Sequence, residues 1–149
     1  MNKPKYLISA CLCGIRCRYD GGSFDFPTLR RLVDEGIAVP FCAECAGGLP
    51  TPRIPCEIVT ATDGTRAVIN ACGEDQTEAF ENGAQQALEM CKAKGLYGAI
   101  LKNGSPSCGV TRIYDGTHTE HCIAGRGITA ALLADNGITL YTEEDPPTE

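Results

Sequence analysis

Tyr97-Gly98-Ala99-Ile100-Leu101-Lys102-Asn103-Gly104-Ser105-Pro106-Ser107-Cys108-Gly109 runs from an apolar stretch straight into a turn-rich loop that carries a thiol. The run 97–102 reads as a buried core strand, and Asn103-Gly104 and Ser105-Pro106 as the turns that end it. Upstream, residues 75–94 place Ala79, Phe80, Ala84, Ala87, Leu88 and Cys91 at helical spacing, stopped by Gly95. Helix, glycine, strand, functional loop is the repeating grammar of an α/β sheet.

The same grammar recurs on either side. Residues 5–9 read as a first strand entering a Cys- and Gly-rich loop. Residues 26–35 read as a helix with Pro27 in its first turn and Gly36 at its end. Residues 37–41 form a second strand that delivers Cys42 and Glu44. Residues 47–55 are an ordered loop or lid, and 57–62 with 65–70 form a hairpin around Asp63-Gly64. A last helix (128–135) and strand (138–141) precede an acidic, proline-bearing tail, 143–149, expected to fray. The fold class expected is α/β: one Rossmann-like domain over residues 1–149, with a mostly parallel central sheet, flanking helices and a β-hairpin insertion. Ligands of such sheets bind at the carboxyl ends of the strands. The loops after the first three core strands hold Cys11, Cys42 and Cys108, so three thiols are expected on one rim.

Composition narrows the function. At 149 residues and 43% hydrophobic content, the chain can bury a core without covalent staples. Net charge is −6 with no basic block, Trp is absent, and Phe and Tyr number four and five. These features argue against nucleic acid as the partner and favour a small molecule. The apolar run after Lys5 is too short for a signal peptide, and no stretch is long enough to cross a bilayer. A cytoplasmic setting is expected. The ten cysteines are then read as reduced thiols: ligands, catalytic groups or small core residues.

Three thiolates from three loops can hold an iron–sulfur cluster and leave one iron without a protein ligand, an open Lewis-acid position. Glu44, two residues after Cys42, suits a general acid or base. Ser105, three before Cys108, suits a hydrogen-bond donor or a nucleophile. Each residue also has a plainer reading. Cys72, Cys91 and Cys122 are expected to pack as small hydrophobes. Glu44 can be a solvated carboxylate and Ser105 the start of a Ser-Pro turn. Cys42-Ala43-Glu44-Cys45 can be half of a zinc or redox site, and His118 and His121 can be ligands or members of a polar loop.

In its motifs the sequence resembles the TudS-like 2-thiouracil desulfidase family, also called YbbK-like. The matching stretches include Ser9-Ala10-Cys11-Leu12-Cys13-Gly14, Cys17-Arg18-Tyr19-Asp20-Gly21-Gly22 and Pro40-Phe41-Cys42-Ala43-Glu44. Gly47-Gly48-Leu49-Pro50-Thr51-Pro52-Arg53, Ser105-Pro106-Ser107-Cys108-Gly109 and Ile113-Tyr114-Asp115-Gly116-Thr117 follow in order, covering nearly the whole chain. The resemblance implies a bacterial cytosolic enzyme that takes sulfur from a thiolated nucleobase such as 2-thiouracil, giving uracil and sulfide. It implies a [4Fe-4S] cluster on Cys11, Cys42 and Cys108, with Glu44 and Ser105 as the catalytic pair. Cys17 belongs to a family motif too and is an alternative ligand or a sulfur-handling thiol. Cys13 and Cys45 stand where the family commonly has aliphatic residues. With Cys11 and Cys42 they define the alternative, a closed zinc or cluster site in a redox or sulfur-carrier module.

Overall fold

A computed structural model describes residues 3–147. Its centre is a four-stranded parallel sheet in the order β2-β1-β5-β8, formed by β1 (Tyr6–Ser9), β2 (Ala38–Phe41), β5 (Gly98–Leu101) and β8 (Thr139–Thr142). β1 pairs with β2 on one side and β5 on the other, so the strand order reverses at β1. Register puts Ile8 beside Pro40 and Ile100, which brings the ends of β1, β2 and β5 level.

Both faces of the sheet are covered, as side-chain alternation requires. Leu7, Ala99 and Leu101 face one layer, where they pack with Leu88 and Cys91 of α3 (Thr77–Lys94) and Leu133 of α4 (Ile128–Asp135). Tyr6, Ile8 and Ile100 face the other, against Leu29 of α1 (Pro27–Asp34) and Leu12. The Gly95 that ends α3 is left-handed, φ 66°, the conformation a glycine adopts without strain. The parallel α/β architecture expected from the sequence is the one observed.

Two antiparallel pairs lie outside the main sheet: β3 (Cys56–Thr60) with β4 (Arg66–Asn70), and β6 (Arg112–Tyr114) with β7 (Cys122–Ala124). The first is the expected hairpin. A third cluster, Cys56, Ile58, Val68, Phe80 and Ile113, joins both pairs to α3. The one-turn helix α2 (Ala43–Ala46), the 3-10 turn Ala10–Leu12 and the β6–β7 pair were not foreseen. At three or four residues each, they are too short to show a period.

The chain from Glu143, expected to fray, is held where it is described. Glu143 accepts the Asn103 N–H at 2.9 Å and pairs with Lys102 at 3.1 Å, and Glu144 grips Arg112 with both oxygens. The end of the expected frayed tail, residues 148–149, lies outside the described residues.

Candidate active site

One cavity of about 390 Å³ opens at the carboxyl ends of β1, β2 and β5. Cys11, Cys42 and Cys108 all line it, as do Glu44, Ser105 and Cys17. The three strand-exit thiols therefore line the same cavity. The 3-10 turn after β1 sends Cys11 to the cavity, while Cys13 goes under α1, where it packs with the core beside Leu29. Burial, opposed by Arg30, raises the Cys13 thiol to about 11. This turn separates Cys13 from Cys11 and takes it out of the site. Cys45, on α2, is turned to Thr51, with Sγ 3.4 Å from its hydroxyl, and does not line the cavity. Cys13 and Cys45 thus lie outside the cavity that Cys11 and Cys42 line, although Cys45 contacts Cys42.

The cavity thiols perturb one another. Hydrogen bonding with Cys11 is the largest cause that raises Cys17 to about 12, partly opposed by Cys42. Cys42 is raised by its contact with Cys17 and then by burial. Burial lifts Cys108 to about 12, against hydrogen bonding with Ser9 and Ser107. Crowding and burial disfavour the thiolate form of these cysteines, and a soft cation that binds thiolate would relieve both. Among the described residues no three His, Cys, Asp or Glu side chains close around a point the size of one metal ion. The fit to a thiophilic cluster rests on the donor chemistry: several cysteines in one cavity, carried by three parallel strands that end at one edge.

Glu44 is positioned by backbone contact. A Cβ on Gly83 of α3 would lie 1.9 Å from the Ala43 carbonyl oxygen, and one on Gly47 would lie 2.0 Å from that of Ala79. Only glycine lets α2 lie this close to α3. Burial lifts the Glu44 carboxyl above the usual carboxylate range, and Arg53 offsets only part of that. Arg53 ties the site together: Nε donates to Glu44 Oε2 at 3.2 Å, Nη2 to the Cys17 carbonyl at 2.9 Å, and Nη1 to the Pro50 carbonyl at 3.1 Å. The loop 47–55 is thus an ordered wall.

The loop after β5 is built on Asn103, which by sequence is a turn former. Its side chain is buried, and Oδ1 accepts the backbone N–H groups of Gly104, Val110, Thr111 and Arg112 at 3.0–3.3 Å. Nδ2 donates to Thr111 and Glu144. Inside the loop, Ser105 Oγ accepts the N–H groups of Ser107 and Cys108, each at 3.0 Å. Ser105 both initiates the turn and borders the cavity. Backbone N–H groups at the start of α4 close on the carbonyls of Pro106 and Ser107.

A second wall comes from the β3–β4 and β6–β7 pairs and adds Cys56, Glu57, His118 and Cys122. Cys91 is a core residue as expected, whereas Cys72 and Cys122 are exposed, because one follows a hairpin strand and the other sits on an uncovered strand. Of the two histidines, His118 borders the cavity; His121 binds Thr119 through Nδ1 at 2.9 Å.

Comparison with known proteins agrees with this fold. Residues 6–145 match the 2-thiouracil desulfurase family model. The uncharacterised protein YbbK of Bacillus subtilis (strain 168) is 43% identical over 144 residues, covering 93% of this chain and 95% of its own. A solved structure described as the [4Fe-4S]-dependent thiouracil desulfidase TudS superposes with a TM-score of 0.86 at 45% identity, over 95% of this chain and 92% of that one. With the match running through the sheet, the thiol loops and the second wall, this chain belongs to the 2-thiouracil desulfurase family.

Proposed function

We propose that this chain is a cytoplasmic, single-domain [4Fe-4S]-dependent desulfidase that converts a thiolated nucleobase such as 2-thiouracil to uracil and sulfide. The observation that carries the reading is the convergence of Cys11, Cys42 and Cys108 on one cavity with Glu44 and Ser105. In this reading those three thiolates hold the cluster, and Cys17 beside them serves as a sulfur-handling thiol or an alternative ligand. Bound there, the cluster supplies a Lewis-acidic iron without a protein ligand, which polarises the thiocarbonyl.

The chain's own groups do the proton work. Glu44 accepts a proton as water adds to the thiocarbonyl carbon, and returns it to the departing sulfur, so the net reaction is hydrolysis with no electron donor. Its burial favours this exchange, and Arg53 holds one carboxylate oxygen through Nε. Ser105 has its oxygen occupied by two N–H groups, which leaves the hydroxyl hydrogen as its contribution to the cavity. It acts as a donor to the substrate rather than as a nucleophile. Anaerobic reconstitution followed by incubation with 2-thiouracil tests the reading: uracil and sulfide are expected in equal amounts. A fully loaded protein that yields neither would overturn it.

A further inference from the structure

His118 and Glu57 form a pair on the second wall of the cavity, on elements that carry none of the strand-exit thiols. Glu57 is buried, and its Oε1 accepts the backbone N–H groups of Gly116 at 2.9 Å and His118 at 3.2 Å. Its Oε2 lies 3.8 Å from His118 Nδ1. Gly116, at φ 93°, lies against β3 so closely that a Cβ would meet the Ile58 carbonyl oxygen at 2.6 Å. His118 itself is left-handed at φ 59°. A non-glycine residue in that region carries local strain, and such residues concentrate where a side chain must point in one direction. One carboxylate therefore anchors the backbone of His118 and also faces its ring, at a distance of a charged contact rather than a hydrogen bond.

A carboxylate facing Nδ1 favours the tautomer with hydrogen on that nitrogen, which makes Nε2 a lone-pair acceptor. Nε2 has no hydrogen-bond partner among the described residues, and the ring borders the cavity. The complementary group is an N–H. We propose that His118, oriented by Glu57, accepts a hydrogen bond from a ring N–H of the thiolated heterocycle and so selects bases whose ring nitrogens carry hydrogen. This assignment rests on the desulfidase reading and adds to it a specificity-determining residue outside the thiol loops.

The test uses cluster-loaded wild type, His118→Phe, which keeps a ring and removes the acceptor, and His118→Gln, which returns an acceptor oxygen. Substrates are 2-thiouracil and its 1-methyl and 3-methyl derivatives, assayed by turnover and by equilibrium dialysis. For 2-thiouracil, His118→Phe is expected to raise KM about tenfold with kcat within about twofold, and His118→Gln to recover much of the loss. Wild type is expected to disfavour at least one methylated base by about tenfold, a preference absent from His118→Phe. The iron–sulfur absorption spectrum is expected to be the same in all three proteins. Wild-type turnover with an unchanged KM or an unchanged methyl preference in His118→Phe would overturn the assignment alone. Neither turnover nor binding by the loaded wild type would overturn the desulfidase reading, and the assignment with it.

Discussion

Arg53 holds Glu44 from a position almost sealed from solvent: Nε stands 3.2 Å from Oε2, with 5% of the arginine side chain and 17% of the glutamate side chain exposed. The same guanidinium holds the Cys17 carbonyl, so one side chain joins the acid–base wall to a thiol loop. Arg53→Ala leaves a part-buried carboxylate unpaired and is expected to cost about 2–4 kcal/mol in urea unfolding. Arg53→Lys restores charge without the planar fork and is expected to recover stability better than turnover.

Glu44→Gln separates proton transfer from cluster binding. Iron content is expected to stay at the wild-type level, since no thiol changes. Turnover of 2-thiouracil is expected to fall by about 10²–10⁴, the usual worth of a general acid–base group. Loss of iron in the same proportion as activity would contradict the division of roles.

The thiols predict an alkaline weakness of the cluster-free protein. Cys17 and Cys108 are raised to about 12 in the folded chain, from an ordinary value of 9.0. Between those values the unfolded chain has released protons that the folded chain still binds, so stability must fall as pH rises through this window. Urea midpoints measured in reductant from pH 8 to pH 11 are expected to drop. A Cys17→Ser, Cys108→Ser double variant is expected to flatten the slope.

Gly83 sets the approach of α2 to α3. Gly83→Ala places a methyl group 1.9 Å from the Ala43 carbonyl oxygen, with backbone on both sides. The helices must separate, and a loss of about 2–4 kcal/mol is expected, read by urea unfolding. Because Cys42 and Glu44 flank the contact, iron retention is expected to fall as well.

Asn103 is the corresponding anchor for the third loop. Asn103→Ala removes the acceptor for four N–H groups, at an expected cost of about 2–4 kcal/mol. Asn103→Asp keeps the acceptor but sets a charge against Glu144, 3.1 Å from the lost donor. It is expected to be intermediate in stability at neutral pH and nearer wild type in acid.

The strands and long helices were legible because their signals are local. Residues 128–135 were read to the residue, and β1, β2, β5 and α3 to within one or two positions at each end. The convergence of three thiols followed from chain order alone, since parallel strands deliver their exit loops to one edge. What stayed hidden was set by distant partners. Asn103 looks like a turn residue until Thr111, Glu144 and the returning backbone are in place. His118 could not be told from His121 without Glu57, sixty-one positions away in the chain. Cys13 and Cys11 part company through a three-residue turn that has no sequence period to announce it.

The cavity's two walls come from different parts of the fold. Sulfur chemistry is tied to the ends of a rigid sheet whose register tolerates little change, whereas the facing wall hangs on short strand pairs and one connecting loop. Residues 115–121 carry none of the strand-exit thiols. Substrate preference is therefore expected to be adjustable from the facing wall without changing the residues that present the thiols.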